Sequence, residues 1–246
     1  MIQIMHQQCV SRSVMNPKQF ASFYADYINS VDKFNLDITY KCPLECPFCV
    51  RQLEGGKERI KESGEMTMTE LKMVISKARH ISFCGQISDP IYHSKFDQVM
   101  KLVSENPHKS FSINTNGTRK KPEWWKKMYS LSHKKVTWIF GLDGADQEAA
   151  NIYRVNTRFD EVLEAMKLGV SMGVDVVWQF IVFKHNEHQI DLAKQIAKEN
   201  GINLQILKSN RWHLIEIMKD NGIEPPSDKW ISRTAQEEKI FINSYE

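Results

Sequence analysis

The chain has 246 residues, 41% hydrophobic and 26% charged, with 33 lysines and arginines against 30 aspartates and glutamates, a formal charge of +3. That length buries a sizeable core in one domain, and the composition excludes a chain that is disordered, collagenous or coiled coil throughout. A charge so near balance gives no bulk case for a nucleic-acid or membrane surface, so nucleic acid is not indicated and partners have to be sought in local sites. Five cysteines are an odd number, and Cys42, Cys46 and Cys49 crowd into one short stretch while Cys9 and Cys84 stand apart. A secreted disulfide framework is even and dispersed. The N-terminus shows no basic region followed by an apolar run, and no stretch approaches the ~20 apolar residues of a membrane span. The longest apolar run, Val174 to Phe183, is broken by Asp175 and Gln179. The expectation is a cytoplasmic, reducing setting without a membrane, where clustered cysteines bind metal more often than they pair.

In chain order, Asn16 and Pro17 offer an N-cap and a first helical residue, and Phe20, Phe23, Tyr24, Tyr27, Ile28 and Val31 recur at helical spacing. This predicts an amphipathic lead-in helix within residues 1–33. From Phe34 onward short apolar runs alternate with longer helix-patterned segments. The run from Phe34 to Tyr40 precedes a helix near Met68 to Arg79, and the run from His80 to Cys84 one near Lys95 to Ser104. Those from Ser110 and Lys135 precede helices near Pro122 to Leu131 and Phe159 to Met172. Those from Asp175 and Ile202 precede helices near Gln189 to Asn200 and His213 to Asn221. Six strand-then-helix units predict parallel strands with right-handed crossovers, in an open sheet or a barrel, over residues 34–222. Residues 223–246 read as a tail with a last strand near Lys239 to Asn243.

In α/β folds of this kind ligands gather at the C-terminal ends of the strands, and there the unusual polar residues of this chain fall, one set per strand. The first strand is followed by Cys42, Cys46 and Cys49 at spacing C-x3-C-x2-C. Three thiolates so spaced converge on one centre from a short loop, and soft thiolates select zinc or an iron–sulfur cluster. The second strand ends in Cys84, Gly85, Gln86, Ile87, Ser88, Asp89 and Pro90; the third in Asn114, Thr115, Asn116 and Gly117; the fourth in Gly141, Leu142, Asp143 and Gly144. Asn116 and Gly117 are a strong turn signal by themselves, and structure alone accounts for them. Gln179 interrupts the apolar fifth strand, and a buried amide needs partners.

At the cysteine motif, with Phe48 before its last thiol, the chain resembles the radical S-adenosylmethionine (SAM) superfamily, in particular the core domain of its SPASM- and MoaA-like members. The resemblance implies an α/β fold, a partial (β/α)6 TIM-like barrel with parallel strands and outer helices. It implies two cofactors, a [4Fe-4S] cluster on Cys42, Cys46 and Cys49, and SAM on the iron that no cysteine holds. Around SAM it implies Phe48, Gly85, Gln86, Asp89, Asn114, Asp143, Arg154, Gln179 and Leu207, the last where the family packs an apolar residue against adenine. Asn186 follows in the family's cofactor-facing loop. Where the family has a serine before the Leu-Asp-Gly element this chain has Gly141, which leaves Asp143 as the better candidate there. No catalytic residue is assigned beyond the cofactor ligands. The expected partners are an external one-electron donor of flavodoxin or ferredoxin type and an unidentified substrate, whether small molecule, nucleoside or peptide. No cysteine follows Cys84, so the C-terminal auxiliary-cluster domain of many relatives is not expected.

The competing reading is a non-catalytic zinc-binding interaction or RNA-binding module built on the same cysteines. Structural zinc sites show paired C-x2-C units with a second pair downstream, and this chain has no second pair. Trp124 and Trp125 beside Lys126 and Lys127 read as core anchoring with solvated lysines, since adjacent helical residues do not share a face. The basic run Arg119 to Lys121 reads as a solvated loop. Of the scattered histidines only His93, near Asp89, is placed to matter.

Overall fold

The structure, a computed structural model, describes residues 2–3, 33–52, 56–62, 64–85, 87–208, 222–231 and 239–242. The lead-in helix, Cys9, Gln86 and the helix near His213 to Asn221 lie outside the described residues. Among the described residues one sheet holds eight strands in sequence order: β1 (Ile2–Gln3), β2 (Lys33–Leu36), β3 (His80–Phe83), β4 (Ser110–Thr115), β5 (Val136–Gly141), β6 (Asp175–Ile181), β7 (Asn203–Leu207) and β8 (Lys239–Ile242). Strands β2 to β7 are parallel; β1 and β8 flank them antiparallel. The fold is the expected partial (β/α)6 TIM-like barrel, and its sheet also draws a strand from each terminal segment.

Helices α1 (Gly56–Glu62), α2 (Met68–Lys77), α3 (Phe96–Ser104), α4 (Pro122–Ser130), α5 (Gln147–Tyr153), α6 (Phe159–Ser171) and α7 (Ile190–Glu199) lie in the connections. Local chemistry sets several of their starts. Thr67 caps α2 in a box with Glu70, each accepting from the other's backbone amide. Pro122 opens α4, where its missing N–H costs nothing. Asp146 caps α5 through the Ala149 amide at 2.8 Å. The seven-residue α1 and α5 are absent from the sequence reading, because two turns hold too few apolar residues to show a period.

The strands alternate between buried and half-buried residues along almost their whole length. One parity carries Phe34, Leu36, Ile81, Phe83, Phe111, Ile113, Trp138, Phe140, Trp178 and Phe180, all at most 1% exposed and packed in the main core. Trp125 of α4 joins this layer, with ring centroids 5.4 Å from Tyr129 and 5.5 Å from Trp138. The indole N–H of Trp138 donates to Ser132 Oγ at 2.9 Å and that of Trp178 to the Leu142 carbonyl at 2.7 Å, so neither is buried without a partner. Trp124, on a different side of the helix, is half-buried at the edge of the core and stacks on Phe96. The other parity carries Asn35, Ser82, Asn114, Ile139 and Gln179, which face a cavity. Parallel sheets covered on both faces read as continuous apolar strands; this one does not, because its concave face is open. Among the described residues no helix is long and apolar enough to cross a membrane.

Candidate active site

The cavity, about 720 Å³, opens where the C-terminal ends of β2 to β6 meet the cysteine loop. Cys42, Cys46 and Cys49 are free, half-buried and on its wall. Backbone bonds fix their loop: Glu45 N–H donates to the Val155 carbonyl at 3.1 Å, and Cys49 N–H to the Cys46 carbonyl at 3.0 Å. Burial, reinforced by the nearby Asp89 carboxylate, pushes the Cys42 thiol up to about 12. Burial also pushes Cys46 up, to about 11, although the Arg154 guanidinium opposes the shift. Thiols so placed become thiolates only when a metal supplies the countercharge, which couples metal uptake to proton release. Among the described residues no three His, Cys, Asp or Glu side chains are grouped to share one metal ion. A cluster asks for wider spacing than a single tetrahedral ion, since each of its metal atoms takes one thiolate, so the donor set fits a cluster.

Around the thiols stand several residues singled out from sequence. Phe48 lines the cavity and stacks on Tyr153 with centroids 5.9 Å apart. Gly85, Asn114, Arg154 and Gln179 line it as well. Asn114 spends its amide N–H on Ser82 Oγ at 3.1 Å and the Phe83 carbonyl at 3.3 Å, and Gln179 donates to Gln205 Oε1 at 2.8 Å. Asp89 is also in the wall, but its carboxylate is taken up by the protein. It accepts from the Asn116 amide at 2.7 Å, from the Thr115 hydroxyl at 3.0 Å and from the Ile91 amide at 3.2 Å. Complete burial raises its pKa to about 6 against the pull of these bonds.

Asp143 is fully buried behind the wall and not on it. One oxygen accepts from Arg154 Nε at 2.6 Å and the other from the Ile181 amide at 2.7 Å. Asp143 therefore aims Arg154 at the cavity. Gly141 leaves the space the guanidinium occupies: a Cβ there would lie 2.5 Å from Arg154 Nη2. Leu207, at the end of β7, is not in the cavity wall. Asn186 is a brace, donating to the Asp143 and Ile181 carbonyls at 3.0 and 2.9 Å. His93 is likewise structural, with one ring nitrogen on the Met66 carbonyl at 2.9 Å and the other accepting from the Lys95 amide at 3.1 Å.

Sequence reasoning did not find Asn35, Ser82 or Arg51, all in the wall. Arg51 reaches back to the Tyr40 and Ile87 carbonyls and ties the far end of the cysteine loop to the second strand's mouth. The period-two alternation of β2 and β3 was the available signal for Asn35 and Ser82. Asp37 was missed too; buried below the mouth, it accepts from the Ile87 amide at 3.3 Å, the Ser88 hydroxyl at 3.2 Å and the Cys84 thiol at 3.5 Å.

A partial α/β barrel with three free thiols in the loop after its first parallel strand defines a metallo-cofactor site at the barrel mouth. The family described as the Radical SAM superfamily matches residues 36–196, and the chain belongs to it. Its cofactors are accordingly a [4Fe-4S] cluster and SAM. Among solved structures, Streptococcus suis SuiB bound to precursor peptide SuiA superposes with TM-score 0.61 at 15% identity, covering 90% of this chain and 56% of that one. Native anSMEcpe with bound AdoMet gives TM-score 0.53 at 24% identity, covering 70% and 50%. Methylornithine synthase PylB gives TM-score 0.50 at 16% identity, covering 79% and 61%. The chain thus spans roughly half the length of the structures it matches.

Proposed function

We propose that this chain is a radical SAM enzyme acting on a polar substrate, with Cys42, Cys46 and Cys49 as the cluster ligands. The observation that carries this reading is that the three free thiols and the Asp143-backed Arg154 face one cavity. When bound, the cofactors supply one-electron cleavage of the SAM sulfonium to methionine and a 5′-deoxyadenosyl radical, which takes a hydrogen atom from the substrate. Three thiolates leave one iron free of protein ligands. Arg154, its Nε occupied by Asp143, presents its remaining N–H groups for the SAM carboxylate in fork geometry. Gly85, Asn114, Gln179 and Phe48, all in the cavity wall, complete the SAM surroundings, and Asp89 serves them by holding the third strand's turn in place and not by direct contact; Gln86 keeps the SAM role that its motif implies, and Leu207, outside the wall, is not given one. Asn35 and Ser82, deeper on the concave face, meet the substrate, and their uncharged polar chemistry selects a neutral hydrogen-bonding group. Two of the similar structures were solved with peptides, SuiB with SuiA and anSMEcpe with Cp18Cys, which supports a peptide among the substrate classes. The electron comes from an external donor of flavodoxin or ferredoxin type.

Anaerobic reconstitution with iron and sulfide tests this. A brown protein that releases 5′-deoxyadenosine from SAM on reduction is expected, and Cys46→Ala is expected to abolish that product. A colourless zinc-loaded protein, or undiminished product from Cys46→Ala, overturns the assignment.

A further inference from the structure

Asn116 reads from sequence as a turn residue, and in the structure it does more than turn the chain. Its side-chain Oδ1 accepts from the Thr118 amide at 3.1 Å, closing a local turn. That bond fixes which way the amide group faces. Its Nδ2 then points to Cys42 Sγ, 3.6 Å away, within reach of a hydrogen bond to sulfur. The donor is held from behind as well: Asn116 N–H is bound to Asp89 Oδ2 at 2.7 Å, and Thr115 Oγ1 accepts from Gly117 N–H at 3.0 Å. Asn116 is 5% exposed, so little of its side chain is open to water. Neither Cys46 nor Cys49 receives a side-chain N–H among the described residues.

We infer that Asn116 is a positioning residue that tunes the cluster, donating an N–H to the Cys42 sulfur and so easing one-electron reduction. This rests on the proposed role of Cys42 as a ligand. Reduction places more negative charge on the sulfurs, and a donor bonded to one of them stabilises the reduced form; hydrogen bonds to the sulfurs are one of the terms that set such potentials. The buried Asp89 carboxylate beside Cys42 acts in the opposite sense, which gives the N–H a charge to offset. Asp89 thereby acts twice, as an anion near the site and as the anchor of the residue that compensates it.

The test is an EPR-monitored redox titration of the reconstituted full chain against Asn116→Asp and Asn116→Ser. Both variants keep an oxygen for the Thr118 amide, and neither carries an N–H that reaches Cys42. Each is expected to load iron and sulfide normally while the equilibrium constant for reduction falls at least tenfold, about 59 mV for one electron, more for the anionic aspartate. Unchanged midpoints in loaded variants overturn the inference. Independently, unaltered protein grown with asparagine labelled with ¹⁵N in its side chain is expected to show a nitrogen hyperfine coupling in the reduced state by pulsed EPR. Absence of that coupling overturns the inference even if the variants lose the cluster. Failure of the unaltered chain to take up any cluster sinks instead the assignment of Cys42 on which this rests.

Discussion

Asp143 and Arg154 form the most deeply buried ion pair of the described residues, the carboxylate fully enclosed and the guanidinium 17% exposed. Arg154→Ala takes the guanidinium away from a fully buried carboxylate, and is expected to cost about 3–5 kcal/mol in urea unfolding. Both residues were legible as a motif, but the spacing does not tell which side of a strand's end a carboxylate takes. The structure gives Asp143 the back and Arg154 the front, because the Ile181 amide and the Asn186 brace hold the loop from behind. Glu65 was invisible in the sequence, having no motif about it. Burial pushes its carboxyl up, but bonds from Ser94, Thr39 and Lys41 outweigh this and hold it at about 2. A depressed carboxyl contributes stability that is full above the unfolded value of 4.5 and is lost as pH falls through about 2. Unfolding titrations of Glu65→Gln are therefore expected to show about 2 kcal/mol less stability at neutral pH, the scale of hydrogen bonds to a charged group, and a flatter dependence between those two pH values.

At the scale of elements, the turn after β4 joins the core to the site. Gly117 sits at φ +71°, and a Cβ there would fall 2.8 Å from the Phe140 ring. Gly117→Ala combines left-handed backbone strain with overpacking and is expected to cost about 2–4 kcal/mol, measured by denaturant unfolding. The Asn-Gly pair announced the turn; what it could not announce is that the same turn aims an amide at a sulfur 74 positions earlier in the chain. The six core strands and five of the longer helices were readable, since their apolar residues recur often enough to establish a period. Helix α5 was not, and it is the element whose end delivers Arg154, so one route to the site passed through a segment with no periodic signal.

Across the whole molecule the sheet divides its labour by face. Phe83→Ala, on the aromatic face, is expected to cost about 3–5 kcal/mol, whereas Asn35→Ala, one parity away on the neighbouring strand, is expected to stay within about 0.5 kcal/mol of the unaltered protein. Matching losses from the two in parallel unfolding curves would show that the concave face carries the fold after all. Its openness was written in the alternation of β2, β3 and β6. It escaped the sequence reading because the large apolar residues define each run, while the small polar residues between them, Asn35 and Ser82, belong to no motif. A concave wall relieved of supporting the fold is free to be rewritten: exchanges among Asn35, Ser82 and their neighbours alter what the mouth accepts at little structural risk, so such a scaffold drifts readily from one substrate to the next.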